Sequence, residues 1–160
     1  MIARQRVPRG LARPWALVGV LVLAVCTGGC AASLPWRTGR QVQVEAQPGA
    51  NQGNATELDI VFVYEKEALA LLPKTGPEWF QSRAALRAAL GSDISILSLQ
   101  VPAATPAFDV KLPTGRGKLV AMLSFANHLS AEGQSVGDLT PFKCVRITLT
   151  TSSIDYIECH

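Results

Sequence analysis

The chain has 160 residues, of which 48% are hydrophobic and 17% are charged, and its formal net charge is +3. Four of its fifteen Lys and Arg stand in the first thirty residues, whereas all twelve Asp and Glu follow them. The rest of the chain is therefore nearly neutral, which excludes the cationic footprint of a nucleic-acid-binding protein, and its length leaves room for one small domain.

The first thirty residues have the order of an export signal. Arginines at positions 4, 6, 9 and 13 precede an apolar run from Trp15 to Cys26, and the segment ends in Thr27-Gly28-Gly29-Cys30. This order predicts a signal peptide over residues 1–29, and the apolar run is too short for a comfortable transmembrane span.

Small residues directly before a cysteine resemble the lipobox of bacterial lipoproteins. The resemblance implies covalent lipid on Cys30, no other cofactor, and an anchor in outer-membrane lipid, because Ala31 rather than Asp follows the cysteine. The protein would then lie on the periplasmic face of the outer membrane. Two alternatives stay open: cleavage near Ala31 or Ala32, which leaves an unlipidated periplasmic protein, and an uncleaved anchor.

Residues 30–57 are predicted to be a lipidated N terminus and flexible tether, since Gly, Gln, Asn, Pro and Ala dominate the segment. Within it, Gln41-Val42-Gln43-Val44-Glu45 alternates polar and apolar residues, which predicts a short edge strand if a partner strand is available. The folded domain is predicted over residues 58–160.

The domain is predicted to begin with a strand over Leu58–Tyr64, where β-branched and aromatic residues form a continuous apolar run. A helical insert follows at about residues 65–93. Good helix formers lead up to Pro73, and a second helix over Pro77–Leu90 has Pro in its first turn and Gly91 after its end. Its apolar stripe is expected to pack on a sheet.

Further strands are predicted over Ile94–Val101, Phe108–Leu112, Leu119–Phe125, Cys144–Thr150 and Ile154–Cys159. Short strands joined by Pro and Gly turns, with the helices in one block, predict a mainly β fold. We expect an antiparallel β-sandwich with a short helical insert rather than a parallel α/β fold.

The last hairpin carries a specific prediction of register. A tip at Thr151-Ser152 sets residues whose numbers sum to 303 opposite each other, so that Leu149 faces Ile154 and Cys144 faces Cys159. Opposite residues of a hairpin lie about 4.5–5.5 Å apart at Cα, which permits a disulfide in an exported protein. Two unlinked thiols are the alternative.

No catalytic constellation is recognisable in the sequence. His160 is terminal, His128 is expected on the surface after a strand, and no metal-spaced cysteines, nucleophile elbow or phosphate loop are present. We therefore predict neither enzymatic activity nor a metal site. Trp79, Arg83 and Arg87 on the second helix are candidate partner-binding residues, the alternatives being core packing for the Trp and plain solvation for the arginines.

Several segments together resemble the TssJ (SciN) lipoproteins of type VI secretion systems. They are the strand ending in Val63-Tyr64, the helical segments Arg83-Ala84-Ala85-Leu86 and Ala88-Ala89-Leu90-Gly91-Ser92-Asp93, the strand Ile96-Leu97-Ser98-Leu99-Gln100-Val101-Pro102, and the strands around Val110-Lys111-Leu112-Pro113 and Leu119–Ala126. The sequence departs from the family pattern at Ala103, in its longer insert, and in its paired C-terminal cysteines.

This resemblance implies a transthyretin-like β-sandwich that tethers a secretion membrane complex to the outer membrane. The implied partner is the periplasmic domain of a TssM-like inner-membrane component, with contacts in the insert from Glu65 to Asp93. The competing hypothesis is a stand-alone lipoprotein that faces the periplasm and binds an envelope polymer or a small ligand.

Overall fold

The computed structural model describes residues 39–113 and 117–159, which form a β-sandwich of two four-stranded sheets. The first sheet has the order β4-β1-β7-β8 and the second the order β3-β2-β5-β6. The strands are β1 (Gln41–Ala46), β2 (Thr56–Val63), β3 (Ile94–Val101), β4 (Phe108–Asp109), β5 (Ala121–Ala126), β6 (Gly137–Asp138), β7 (Cys144–Leu149) and β8 (Ile154–Glu158). The predicted sandwich is confirmed, whereas the predicted signal peptide and Cys30 lie outside the described residues.

Strand β2 is buried along nearly its whole length because both of its faces are covered. Leu58, Ile60 and Phe62 point into the core between the two sheets. Val61 and Val63 alternate with them and pack under the helical insert. This double burial explains why the strand has a continuous apolar run rather than a strict alternation.

The helical insert lies between β2 and β3, as predicted, and contains α1 (Lys66–Leu71) and α2 (Gly76–Leu90). Helix α2 has Thr75 as its N-cap and ends at Gly91, which has a left-handed φ of 51°. A Cβ on Gly76 would lie 2.0 Å from the carbonyl oxygen of Ala126, so only glycine lets the start of α2 approach the end of β5 this closely. Among residues 39–113 and 117–159, no helix is long and apolar enough to cross a membrane.

The prediction of a tether up to residue 57 is wrong for residues 41–57, which belong to the fold. Strand β1 is an inner strand that pairs antiparallel with β4 and parallel with β7. Val42 and Val44 are fully buried in the core, while Gln43 keeps to the outer face of the sheet. Both partner strands lie more than 60 residues away in sequence, so the short alternation alone could not show that β1 is internal.

The C-terminal hairpin has the predicted register. Leu149 faces Ile154 across β7 and β8, and the pairing continues to Val145 opposite Glu158. Cys144 and Cys159 follow in the same register, 5.2 Å apart at Cα, and form a disulfide. The predicted bond is therefore present in the structure.

The sandwich has two distinct ends. We call the end where the chain enters β1 the proximal end; the C-terminal end of β8 returns to it, because Cys159 is bonded to Cys144, which pairs with Gln41. The opposite end, which we call the distal end, carries the loops 47–55, 127–136 and 150–153 between the strands.

Candidate functional site

Two regions could carry function. One is the helical insert, where the sequence resemblance implies partner contacts, and the other is the group of loops at the distal end. In the insert, Arg83 is occupied by contacts within the protein. Its Nη1 lies 2.7 Å from Oε1 of Glu57 and 3.0 Å from Oδ2 of Asp59. The hydrogen bond to Asp59 raises the pKa of Arg83 most, and the hydrogen bond to Glu57 raises it further. The guanidinium also lies 5.1 Å from the ring centroid of Phe80.

Trp79 is wholly buried, so its predicted role in partner binding is wrong and the alternative of core packing holds. Its ring stacks on Phe125 with centroids 4.7 Å apart. Its Nε1 donates a hydrogen bond of 2.8 Å to Oδ2 of Asp59. The indole N–H thereby pairs with one oxygen of a carboxylate that has no access to solvent, and this contact helps to hold α2 on the sheet.

Sequence reasoning missed Asp59, the centre of this cluster. Its side chain is buried, and its Oδ1 has no hydrogen-bond partner among the described residues. The sequence did contain a signal for this cluster. An acidic residue stands inside the apolar strand of residues 58–64, and Trp and Arg lie one helical turn apart on the next long helix. The contacts of Asp59 with Trp79 and Arg83 fasten α2 over β2.

Arg87 is the predicted contact residue that stays accessible. It is exposed in the last full turn of α2 and lines a groove of about 510 Å³ together with Tyr64, Ile94 and Pro113. No ion pair involves it within residues 39–113 and 117–159. Its role in binding a partner stays a prediction.

At the distal end, His128 is buried, not on the surface as the sequence predicted. Its Nδ1 accepts a hydrogen bond from the backbone N–H of Ser130, so the ring proton lies on Nε2, 3.2 Å from the carbonyl oxygen of Thr150. The side chain of Gln134 donates to the carbonyl oxygen of His128. The ring therefore links loop 127–136 to loop 150–153.

Asn51 links the third loop to the other two. Its Oδ1 accepts a hydrogen bond of 2.8 Å from the backbone N–H of Leu129, and its own N–H donates to the carbonyl oxygen of Thr150. Both Asn51 and Gln52 have left-handed backbones, with φ of 49° and 56°. Two consecutive non-glycine residues in this region are costly and are retained only where surrounding contacts hold them, as they often are at functional sites.

The distal loops therefore form a rigid surface, which we call the distal platform: residues 47–55, 127–136 and 150–153. Gln52 is exposed on it, and Leu129 is 57% exposed although its backbone is fixed by Asn51. Because Leu129 is an exposed apolar side chain on a loop whose backbone is fixed, the distal platform is a candidate docking surface.

The residues that could serve metal binding or nucleophilic catalysis are dispersed or already engaged within the described part of the chain. Within the part of the chain that the structure describes, no three His, Cys, Asp or Glu side chains come together as metal ligands. Cys144 is committed to the disulfide and His128 to backbone contacts, so they do not form a nucleophile and base pair.

The sequence matches no model of a known protein family and no curated protein. The structure is similar to the T6SS lipoprotein TssJ1 from Pseudomonas aeruginosa, with a TM-score of 0.56 and 15% identity over 75% of this chain and 95% of that chain. It is also similar to Serratia marcescens Lip, a membrane bound component of the type VI secretion system, with a TM-score of 0.50 and 8% identity over 76% of this chain and 97% of that chain. The chain thus has the fold of these lipoproteins, and the resemblance drawn from its sequence is confirmed at the level of the fold.

Proposed function

We propose that the protein is a non-enzymatic, lipid-anchored component of a type VI secretion membrane complex in the cell envelope. The observation that carries the proposal is the fold, which extends over 95% and 97% of the two secretion lipoproteins. The lipobox-like segment ending at Cys30 supports it independently, since it addresses the domain to the outer membrane with lipid as its anchor.

The partner we propose is the periplasmic domain of a TssM-like inner-membrane component, and its docking surface is the distal platform. This surface lies opposite the end at which the chain enters the fold, which leaves it free to face away from the outer membrane. Asn51, one of its two left-handed residues, is held by hydrogen bonds to Leu129 and Thr150, which reduces the ordering of the loop that docking requires.

Two matched variants test the docking surface. Leu129→Glu places a charge on the platform, whereas Leu71→Glu places one at the end of α1, where the side chain is 62% exposed. Both changes remove an exposed leucine without opening the core. We expect Leu129→Glu to weaken partner binding at least about tenfold, the effect of losing an interface hot spot.

The complementary experiment measures the whole function. Full-length protein is crosslinked in cells, solubilised gently and captured, and the co-purified proteins are identified by mass spectrometry, with Cys30→Ser as control. We expect a large inner-membrane protein with a periplasmic domain in the wild-type sample, and loss of effector secretion in the Cys30→Ser strain. Unchanged secretion after Cys30→Ser or after deletion would contradict the proposal, and saturable binding of a wall polymer would favour the stand-alone binding module.

A further inference from the structure

Positive charge is concentrated at the proximal end. Five of the nine Lys and Arg in the described residues lie there beyond the strand ends, namely Arg40, Lys66, Lys111, Lys118 and Lys143, and three carboxylates accompany them, on Glu65, Glu67 and Asp93. The strands, α2 and the distal end have the reverse balance, with four cations and nine carboxylates. Glu158 ends β8 at the same end, and Arg87 lies toward it in the last turn of α2. With both included, the proximal end keeps an excess of positive charge over the rest of the described residues.

The fold fixes each of these lysines at the proximal end. The carbonyl oxygen of Lys143 accepts the backbone N–H of Gln41 at 2.9 Å. Lys66 and Lys118 line one groove of about 480 Å³ beyond the end of β2, together with Glu65 and Glu67. Lys111 follows Val110, whose N–H bonds the carbonyl oxygen of Val42 beside the start of β1.

The lysine ammonium groups are available for an external anion, whereas Arg40 is not. Nη1 of Arg40 donates to the carbonyl oxygens of Thr140 and Phe142, at 2.7 and 2.5 Å, and so fixes the point of chain entry. The four lysines are exposed. Both ion pairs within residues 39–113 and 117–159 are made by Arg83, so none of these lysines is held in an ion pair by a carboxylate of that part of the chain.

The length of chain before β1 keeps this end near the anchor. Cys30 stands eleven residues before Gln41, and a fully extended chain of that length reaches at most about 40 Å. Because residues 41–57 belong to the fold and not to a tether, the domain stays closer to the bilayer than the sequence predicted.

We propose that Lys66, Lys111, Lys118 and Lys143 bind anionic phospholipid head groups of the membrane that holds the lipidated Cys30. The contact sets the domain upright, with the distal platform directed away from the bilayer. This inference rests on the lipid anchoring in the proposed function and does not depend on the identity of the secretion partner.

Each lysine next to an anionic surface strengthens binding by a factor of about five, and salt screens the attraction over roughly 10 Å at 0.1 M ionic strength. Such contacts are weak singly. The anchor raises their effective concentration, because it converts the encounter of domain and membrane into an intramolecular event.

The test uses the mature lipoprotein inserted by its own lipid into phosphatidylcholine vesicles with or without phosphatidylglycerol. Surface amines are acetylated briefly, and the labelling of each lysine is measured by mass spectrometry. We expect the four proximal lysines to react several-fold more slowly on the anionic vesicles and the difference to vanish at high salt. Lys74, which is exposed before α2 at the distal end, is the internal control and should react equally on both.

The intact mass of the protein separates the possible failures. A mature protein without lipid would overturn the anchoring proposed above and this inference with it. A lipidated protein whose proximal lysines react equally on both vesicles, or whose Lys74 is protected as strongly, would overturn this inference alone. The Lys118→Gln/Lys143→Gln variant should lose part of the protection at Lys66, whereas Lys74→Gln should leave it unchanged.

Discussion

Replacing Arg83 by Met tests how the buried carboxylate of Asp59 is held. Met keeps most of the aliphatic stem of the side chain and removes the guanidinium that contacts Asp59 at 3.0 Å and Glu57 at 2.7 Å. Removing one partner of a fully buried pair costs about 3–5 kcal/mol. Because the Arg83 side chain is 33% exposed, solvent screening reduces the expected cost to about 2 kcal/mol.

A double-mutant cycle isolates the interaction between Arg83 and Asp59. In Asp59→Asn the carboxylate is gone, so the further change Arg83→Met no longer strands a buried charge. The double variant should therefore be more stable than the sum of the two single costs predicts, by about 1 kcal/mol or more. Urea unfolding of the mature protein at neutral pH, with the disulfide intact, measures each free energy. Strictly additive costs would refute the coupling between these side chains.

Three other changes have defined outcomes. Cys144→Ser removes the bond that closes a loop of sequence separation 15 and should lower the free energy of unfolding by about 3 kcal/mol, measured by urea denaturation; a loss near zero would contradict this. Burial raises the pKa of Tyr156 above its ordinary value of 10.0, so its stabilising contribution is complete below that pH and is lost as the pH rises through the folded-state pKa; alkaline unfolding should be shallower in Tyr156→Phe. Arg40→Met removes the donor to the carbonyl oxygens of Leu139, Thr140 and Phe142, so it should accelerate amide hydrogen exchange in residues 139–143. Unchanged exchange there would show that these hydrogen bonds are not needed to hold the segment.

The sequence predicted those parts of the fold that local pattern determines. Strand β3 has the predicted bounds, because Pro102 and the end of the helical block enclose an uninterrupted β-forming run. The register of β7 and β8 followed from the position of a single turn, and the disulfide followed from that register.

The wrong predictions for β1 and for His128 share one physical cause, because the residues that contact these elements are distant in sequence. Strand β1 is short and half polar, and it becomes an internal strand only through β4 and β7. His128 follows a strand as surface histidines often do, but it is buried. Its ring contacts the carbonyl oxygen of Thr150 from another loop, and Asn51 from a third loop binds the backbone of the next residue. No periodicity within a segment indicates such contacts.

The candidate site shows the same division. The apolar stripe of α2 correctly predicted packing on a sheet, yet a stripe alone does not say whether Trp79 closes a core or presents a docking surface. Trp79 packs in the core because the buried carboxylate of Asp59 accepts its indole N–H, which needs a hydrogen-bond partner when the ring is buried. The distal platform was invisible in the sequence, since it is assembled from three separate loops.

We propose that this domain docks an inner-membrane secretion partner through the distal platform while its lipid holds the outer membrane. It is tested most directly by a photo-reactive amino acid placed in living cells at Gln52 and, in a matched strain, at Leu71 on the helical insert. We expect a crosslink from position 52 to a large inner-membrane protein, dependent on Cys30, and none from position 71. A crosslink from position 71 alone, or from neither position in cells that secrete effectors, would contradict it.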